Sequence, residues 1–208
     1  MTLARGMERL ETERLMLRRV SLADLPFYVR LHGMVEVARG LWLEGRPKTA
    51  GQTEAWLRGT LTSYDALELG YLAVVRKADG ALIGRCGLMD MAVEAAAPAG
   101  RLRRGWFGRE EVPEGVAVIL ECELGYTFDP AVWGQGYASE AARCVWDYAR
   151  KGLGLGYVVS AILPGNAASR RLAERARARM DGQMGAAGMV FERWVWGAET
   201  ANRPNPLL

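Results

Sequence analysis

Leu124-Gly125-Tyr126, followed closely by Trp133-Gly134-Gln135-Gly136-Tyr137-Ala138-Ser139-Glu140-Ala141, decides the reading of this chain. The order is strand end, short turn, glycine loop, helix start. The first N–H groups of a helix have no partner inside it, and the helix dipole adds partial positive charge there. Glycine lets a ligand come close to the main chain. Together they make a site for an anion, phosphate above all; a plain strand-to-helix turn is the competing reading. A dinucleotide fingerprint fits poorly. It belongs to the first strand of a βαβ unit and needs an acid about 20 residues on, where this chain has Gly156-Tyr157-Val158-Val159. No Gly-Lys-Ser/Thr follows the loop, so a Walker motif is absent as well.

Working outward, Val116 to Tyr126 reads as a long strand, and Tyr137 to Lys151 as a helix ended by Gly152 and Gly154. Tyr157 to Leu163 is a Val/Ile strand stopped by Pro164-Gly165, Ala167 to about Met180 a helix, and Met189 to Trp196 a final strand. Toward the N-terminus, Leu15 to Val20 is a first strand. Ser21 and Asp24 form a capping pair for a helix reaching about Met34. A second helix starts at Thr49, with Trp56, Leu57 and Leu61 at helical spacing. Tyr71 to Val75 and Ala81 to Leu88 are strands joined by the turn signal Asp79-Gly80. Ala92 to Gly115 breaks the pattern and reads as a loop insertion, and Arg203-Pro204-Asn205-Pro206 as a frayed tail. The expectation is a single α/β (α+β) domain over residues 1–208, with a central mixed sheet and helices on both faces.

Half of the 208 residues are hydrophobic, enough for a full core, and the net charge of +3 suits a small anionic ligand without calling for nucleic acid. The arginine-rich start carries no apolar signal segment, and no apolar run reaches membrane-spanning length, so the cytoplasm is expected. Cys86, Cys122 and Cys144 match neither a zinc knuckle nor a redox pair and read as packing. His32 is the single histidine, which argues against a multi-histidine metal site; no metal is expected. Acid–base chemistry would then rest on carboxylates, hydroxyls or the substrate's own amine.

Glu121 and Glu123 alternate with Cys122 and Leu124, so both carboxylates lie on one side of their strand. Carboxylates there are costly unless solvated, paired or functional. Gly125 marks a bulge or a close approach of a ligand. Asn166 can cap the helix that starts near Ala167. Arg170, Arg171, Arg175, Arg177 and Arg179 read as a solvated helical face.

Taken jointly, Glu123-Leu124-Gly125-Tyr126, Pro130, the run Trp133 to Ala141, Asn166-Ala167-Ala168-Ser169 and the opening Leu10 to Arg18 resemble the GNAT superfamily of N-acetyltransferases, the RimJ/RimL branch in particular, over residues 10 to 196. The resemblance implies a splayed sheet and acetyl-CoA as acyl donor. It implies that Trp133, Gly134, Gln135, Gly136, Tyr137, Ala138 and Ser139 hold the CoA pyrophosphate, with the backbone of Gln135 to Ser139 central. It further implies that Leu124, Gly125 and Tyr126 pair with the pantetheine arm, that an N–H near Leu124 or Gly125 polarises the thioester, and that Asn166 bonds the arm. In that scheme one or two of the arginines would meet the CoA 3′-phosphate. Glu123 is the favoured general base, with Glu121 or water alone the alternatives. Many members place a tyrosine on the helix after Asn166; here Ser169 is the remaining acid candidate. The chain also departs from the family's Leu-Gly-Phe ending of that helix, reading Arg175-Ala176-Arg177-Ala178-Arg179-Met180. The acceptor, a protein N-terminus or a small amine, would bind among His32 to Lys48, the insertion and the last strand, with Trp42, Trp106 and Phe107 as lining candidates. A homodimer is compatible with this reading. The alternatives are a non-catalytic acyl-CoA-binding regulator or scaffold and, disfavoured by the position of the glycine loop, a nucleotide-dependent oxidoreductase.

Overall fold

The computed structural model describes residues 8–41, 45–67 and 69–198. In chain order the elements are β1 (Arg9–Glu11), β2 (Leu15–Arg19), α1 (Leu25–His32), α2 (Val35–Gly40), α3 (Ala50–Leu67), β3 (Gly70–Arg76), β4 (Leu82–Glu94), β5 (Arg103–Trp106), β6 (Val118–Phe128), α4 (Tyr137–Lys151), β7 (Tyr157–Ile162), α5 (Ala167–Arg175), β8 (Arg179–Ala186) and β9 (Met189–Gly197). They form two compact units. One takes in the chain through Leu88 together with Gly125–Tyr148; the other takes in Met89–Leu124 and the chain from Ala149 on.

In the first unit β1, β2, β3 and the start of β4 pair antiparallel in sequence order. Leu15 and Leu17 alternate inward along β2 and are fully buried, while Arg18 turns back to grip Asp24 through both guanidinium tips at 2.7 and 2.8 Å. Asp24 also accepts the Ser21 N–H at 2.8 Å, as the capping pair predicts. At the head of α3, Thr49 and Gln52 cap each other: the Thr49 N–H donates to the Gln52 side chain, and the Gln52 N–H to the Thr49 hydroxyl. Thr53, Leu57, Thr60 and Tyr64 then form the buried face of α3. The β3–β4 turn falls at Asp79-Gly80, with Gly80 at φ 69°. Gly84 on β4 leaves room for the end of β6, since a Cβ there would lie 2.4 Å from the Thr127 carbonyl oxygen.

Within the second unit the strands lie in the order β4, β5, β8, β9, β7, β6. The β5–β8 and β6–β7 pairs are parallel and the others antiparallel, so the expected mixed sheet is present. Met91, Val93, Val159, Met184, Phe191 and Val195 form its core. Between β6 and β7 the ladder holds a single pair, Glu123 opposite Val159; this is the splay.

Three expectations change. The helix expected to reach Met34 ends at His32, and a separate α2 follows. The segment Ala92 to Gly115 is not wholly a loop: β4 runs on to Glu94, and β5 folds back on it with Ala92 opposite Trp106. Glu94 fixes this return by accepting from Arg101 (2.7 Å), from the Arg104 N–H (3.1 Å) and from the Arg104 guanidinium (3.1 Å). The helix expected to reach Met180 stops at Arg175. Arg177 adopts the left-handed conformation at φ 61°, its N–H donates to the Glu174 carbonyl, and the Ala178 N–H donates to the Ala173 carbonyl. That is a Schellman stop with arginine where glycine is usual. The residues after it form β8, which the sequence reading lacks. The expected frayed tail at Arg203 to Pro206 lies outside the described residues.

Candidate active site

β6 ends at Phe128, and Asp129 begins the turn into the loop by accepting the Ala131 N–H at 3.0 Å. Burial pushes the Asp129 pKa up, but that N–H and Arg30, at 2.7 Å, hold it below its ordinary value. Trp133 anchors the loop by donating its indole N–H to the Phe128 carbonyl at 2.9 Å, while its ring stays 52% exposed. Gly134 and Gly136 sit at φ 75° and 83°, a region that L side chains rarely adopt. The loop from Trp133 to Gly136 is exposed, and α4 starts at Tyr137, so the N–H groups of Tyr137, Ala138 and Ser139 belong to the first turn of a helix.

Arg14, which the sequence reading placed only in a family-like opening, braces this loop. Its guanidinium donates to the Gln135 carbonyl at 3.1 Å, lies 4.5 Å from the centre of the Tyr137 ring, and would stand 3.4 Å from a Cβ at Gly136. Glu140 in turn holds Arg14, accepting its backbone N–H at 3.0 Å and its Nε at 2.7 Å, and accepts the Thr12 hydroxyl as well. Burial would raise the Glu140 pKa; these donors keep it lowered. The signal was present in sequence as Thr12, Arg14 and Glu140, but only the fold brings positions 126 apart into contact.

On β6, Glu121 and Glu123 are both buried. Glu121 is fully buried and held by Arg193 of β9, Nη2 to Oε1 at 2.5 Å and Nε to Oε2 at 3.2 Å, and Arg193 also binds Asp181. Glu123 is 8% exposed and forms the single β6–β7 pair, opposite Val159. One residue on, the Leu124 carbonyl accepts the Ser160 hydroxyl at 2.7 Å, and the Ser160 oxygen accepts the Trp196 indole N–H at 3.0 Å. A side chain thus replaces the ladder bond where the strands part; sequence reasoning missed Ser160, a small polar residue in an apolar strand. At Gly125 a Cβ would lie 2.6 Å from the Tyr71 hydroxyl, so a close approach accounts for this glycine. Tyr126 is half-buried.

Asn166 caps α5, its side-chain oxygen accepting the Ser169 N–H at 3.1 Å, and Ser169 lies half-buried in the first turn. Arg170 pairs with Glu192 at 3.2 Å and Arg179 with Asp181 at 2.9 Å, while Arg171 and Arg175 are exposed. Among the acceptor-site candidates, Phe107 packs edge-on against Phe191 at the core of its unit. Trp106 lies under the Arg104 guanidinium, and Trp42 is outside the described residues. Cys122 is buried, which together with Glu123 and Asp90 pushes its thiol up to about 12. His32 is buried against Tyr28 and Trp56.

The sequence matches the model of the acetyltransferase (GNAT) domain over residues 14–179. It is 28% identical over 128 residues to the uncharacterized protein YkkB of Bacillus subtilis (strain 168), covering 62% of this chain and 61% of that protein. The chain thus spans less than two thirds of the length of this curated relative. The fold is similar to that of an acetyltransferase from Agrobacterium tumefaciens (TM-score 0.69, 24% identity, 95% of this chain and 99% of that one). It is also similar to the RimL ribosomal L7/L12 alpha-N-protein acetyltransferase solved in complex with coenzyme A (TM-score 0.61, 17% identity, 90% and 97%).

Proposed function

This chain belongs to the GNAT acetyltransferase family, and from that premise we propose that it moves the acetyl group of acetyl-CoA to a primary amine by direct attack, both substrates being bound together. The observation that carries the reading is the exposed loop with two left-handed glycines opening α4 and braced by Arg14. Such a loop fits a diphosphate: main-chain N–H groups open a helix, Gly134 and Gly136 present no Cβ, and a guanidinium stands beside it. The backbone of Gln135 to Ser139 would hold the pyrophosphate, flanked by Trp133, Gly134 and Arg14. Leu124, Gly125 and Tyr126 would line the pantetheine arm, joined by Asn166.

Acetyl-CoA supplies the activated acyl group. The amine nitrogen bonds the acetyl carbon, the carbon–sulfur bond breaks with the electron pair on sulfur, and Glu123 takes the proton that nitrogen loses. Glu123 is favoured over Glu121 because it lies nearer the strand end where the thioester is placed. A main-chain N–H at Leu124 or Gly125 would stabilise the charge growing on the acetyl oxygen, and Ser169 would donate to the leaving sulfur. The RimL likeness puts a protein N-terminus among the candidate acceptors, beside small amines. This reading takes the chain as one catalytic domain acting in the cytoplasm.

The test is release of free thiol from acetyl-CoA across peptides and small amines. Turnover with at least one amine supports the proposal. Coenzyme A binding with no thiol release from any amine would instead identify a non-catalytic acyl-CoA-binding protein.

A further inference from the structure

Arg85 lies on β4 within the first unit and is only 6% exposed. Its guanidinium lies against the faces of two mutually tilted aromatic rings, 4.0 Å from the centre of Tyr71 and 4.8 Å from that of Trp56. Its Nε and Nη1 are buried without an acceptor, and no carboxylate among the described residues pairs with it. The same Trp56 ring meets His32, 4.7 Å away, whose two ring nitrogens are also buried without partners. Lys48 is tied to the same residue, its backbone N–H donating to the His32 carbonyl at 3.0 Å. Burial, then the charges of Arg85 and Lys48, lowers the His32 pKa to about 3, so the ring stays neutral and the neighbourhood keeps its positive charge.

Ring faces soften the cost of burying a guanidinium but provide neither the counter-charge nor the acceptor oxygens that it lacks. A buried cation left in that state is destabilising, and such departures from good packing concentrate at functional sites. The deficit has a direction. The Tyr71 ring that covers Arg85 places its hydroxyl against Gly125, next to the position assigned above to the polarising N–H. The donor's pyrophosphate is already given to the glycine loop, and its 3′-phosphate to one or two of the arginines from Arg170 to Arg179. The group missing at Arg85 therefore comes from the acceptor, and the guanidinium's low exposure requires that group to be compact.

We propose that the acceptor is a small primary amine bearing a carboxylate, and that Arg85, walled by Trp56 and Tyr71, binds that carboxylate and sets specificity. This rests on the acetyl-transfer reading and narrows it. Arginine is the side chain suited to such a task, because it stays charged and presents several donors.

The experiment follows thiol release from acetyl-CoA by the full chain with matched amines: amino acids of varied amine-to-carboxylate spacing, their primary amides, the decarboxylated amines, and a peptide with a free N-terminus. Wild-type protein should favour the best carboxylate over its amide and decarboxylated partners by about 10²-fold or more in kcat/KM. Arg85→Met should erase most of this preference through KM, keep its affinity for coenzyme A, and melt no lower than wild type; Arg85→Lys should recover part of the preference. Equal use of carboxylate and decarboxylated amines, a peptide preferred over every small carboxylate, or a preference that survives Arg85→Met would overturn the inference while leaving acetyl transfer intact. If Arg85→Met does not fold, the wild-type comparison decides alone. If no amine releases thiol, the acetyl-transfer reading fails, and this inference with it.

Discussion

Glu121 and Glu123 share one face of β6, and both are buried. Glu121 is the buried half of an ion pair with Arg193, itself tied to Asp181. Removing one partner of such a pair strands the other's charge, so Glu121→Ala should destabilise the protein by about 3–5 kcal/mol, measured by denaturant unfolding. Glu123→Gln should leave the melting temperature and coenzyme A affinity close to wild type but lower kcat by roughly 10²- to 10⁴-fold. A loss of less than about threefold at saturating acetyl-CoA would remove Glu123 from the role of base. Alternation along the strand put both carboxylates on one side from sequence alone. The Arg193 contact to Glu121 spans 72 positions, and no local pattern shows it.

The elements were legible where their signals are local. α4 begins and ends where the sequence reading placed it, at Tyr137 and Lys151, because a glycine loop opens it and glycines follow it. α5 was read too long for a physical reason: its stop uses Arg177 at φ 61° instead of glycine, so the boundary carried no glycine signal. That left β8 hidden inside an apparent helix. Arg177→Gly should relieve the left-handed strain and stabilise the protein by about 0.5–1 kcal/mol, the gain reduced by glycine's extra freedom when unfolded. A fall in melting temperature would show that the Arg177 side chain contributes more than its backbone costs. β5 was missed because its four residues carry no long alternation and depend on pairing with β4 and β8.

For the whole molecule, sheet order was beyond sequence reading, since parallel partners such as β5 and β8 meet only through distant pairing. The single histidine makes one global property simple to interpret. His32 is fully buried and its pKa is lowered from 6.5 to about 3, chiefly by burial. Between those values the unfolded chain binds the proton and the folded chain does not. Stability from this group is therefore complete above pH 6.5 and declines as pH falls, by up to about 1.4 kcal/mol per pH unit. Carboxylates held low, such as Asp24 and Glu140, add their own losses only in more acidic solution. Unfolding free energies from pH 7 to 5 should show this slope, and His32→Phe should flatten it. The account as a whole depends on the loop at Gly134 and Gly136 gripping the diphosphate of coenzyme A. Calorimetric titration of the folded protein with coenzyme A tests that most directly. Saturable binding at one site, weakened at least about tenfold by Gly136→Val because a branched side chain is strained at φ 83°, is the predicted result; no heat at millimolar coenzyme A would contradict it.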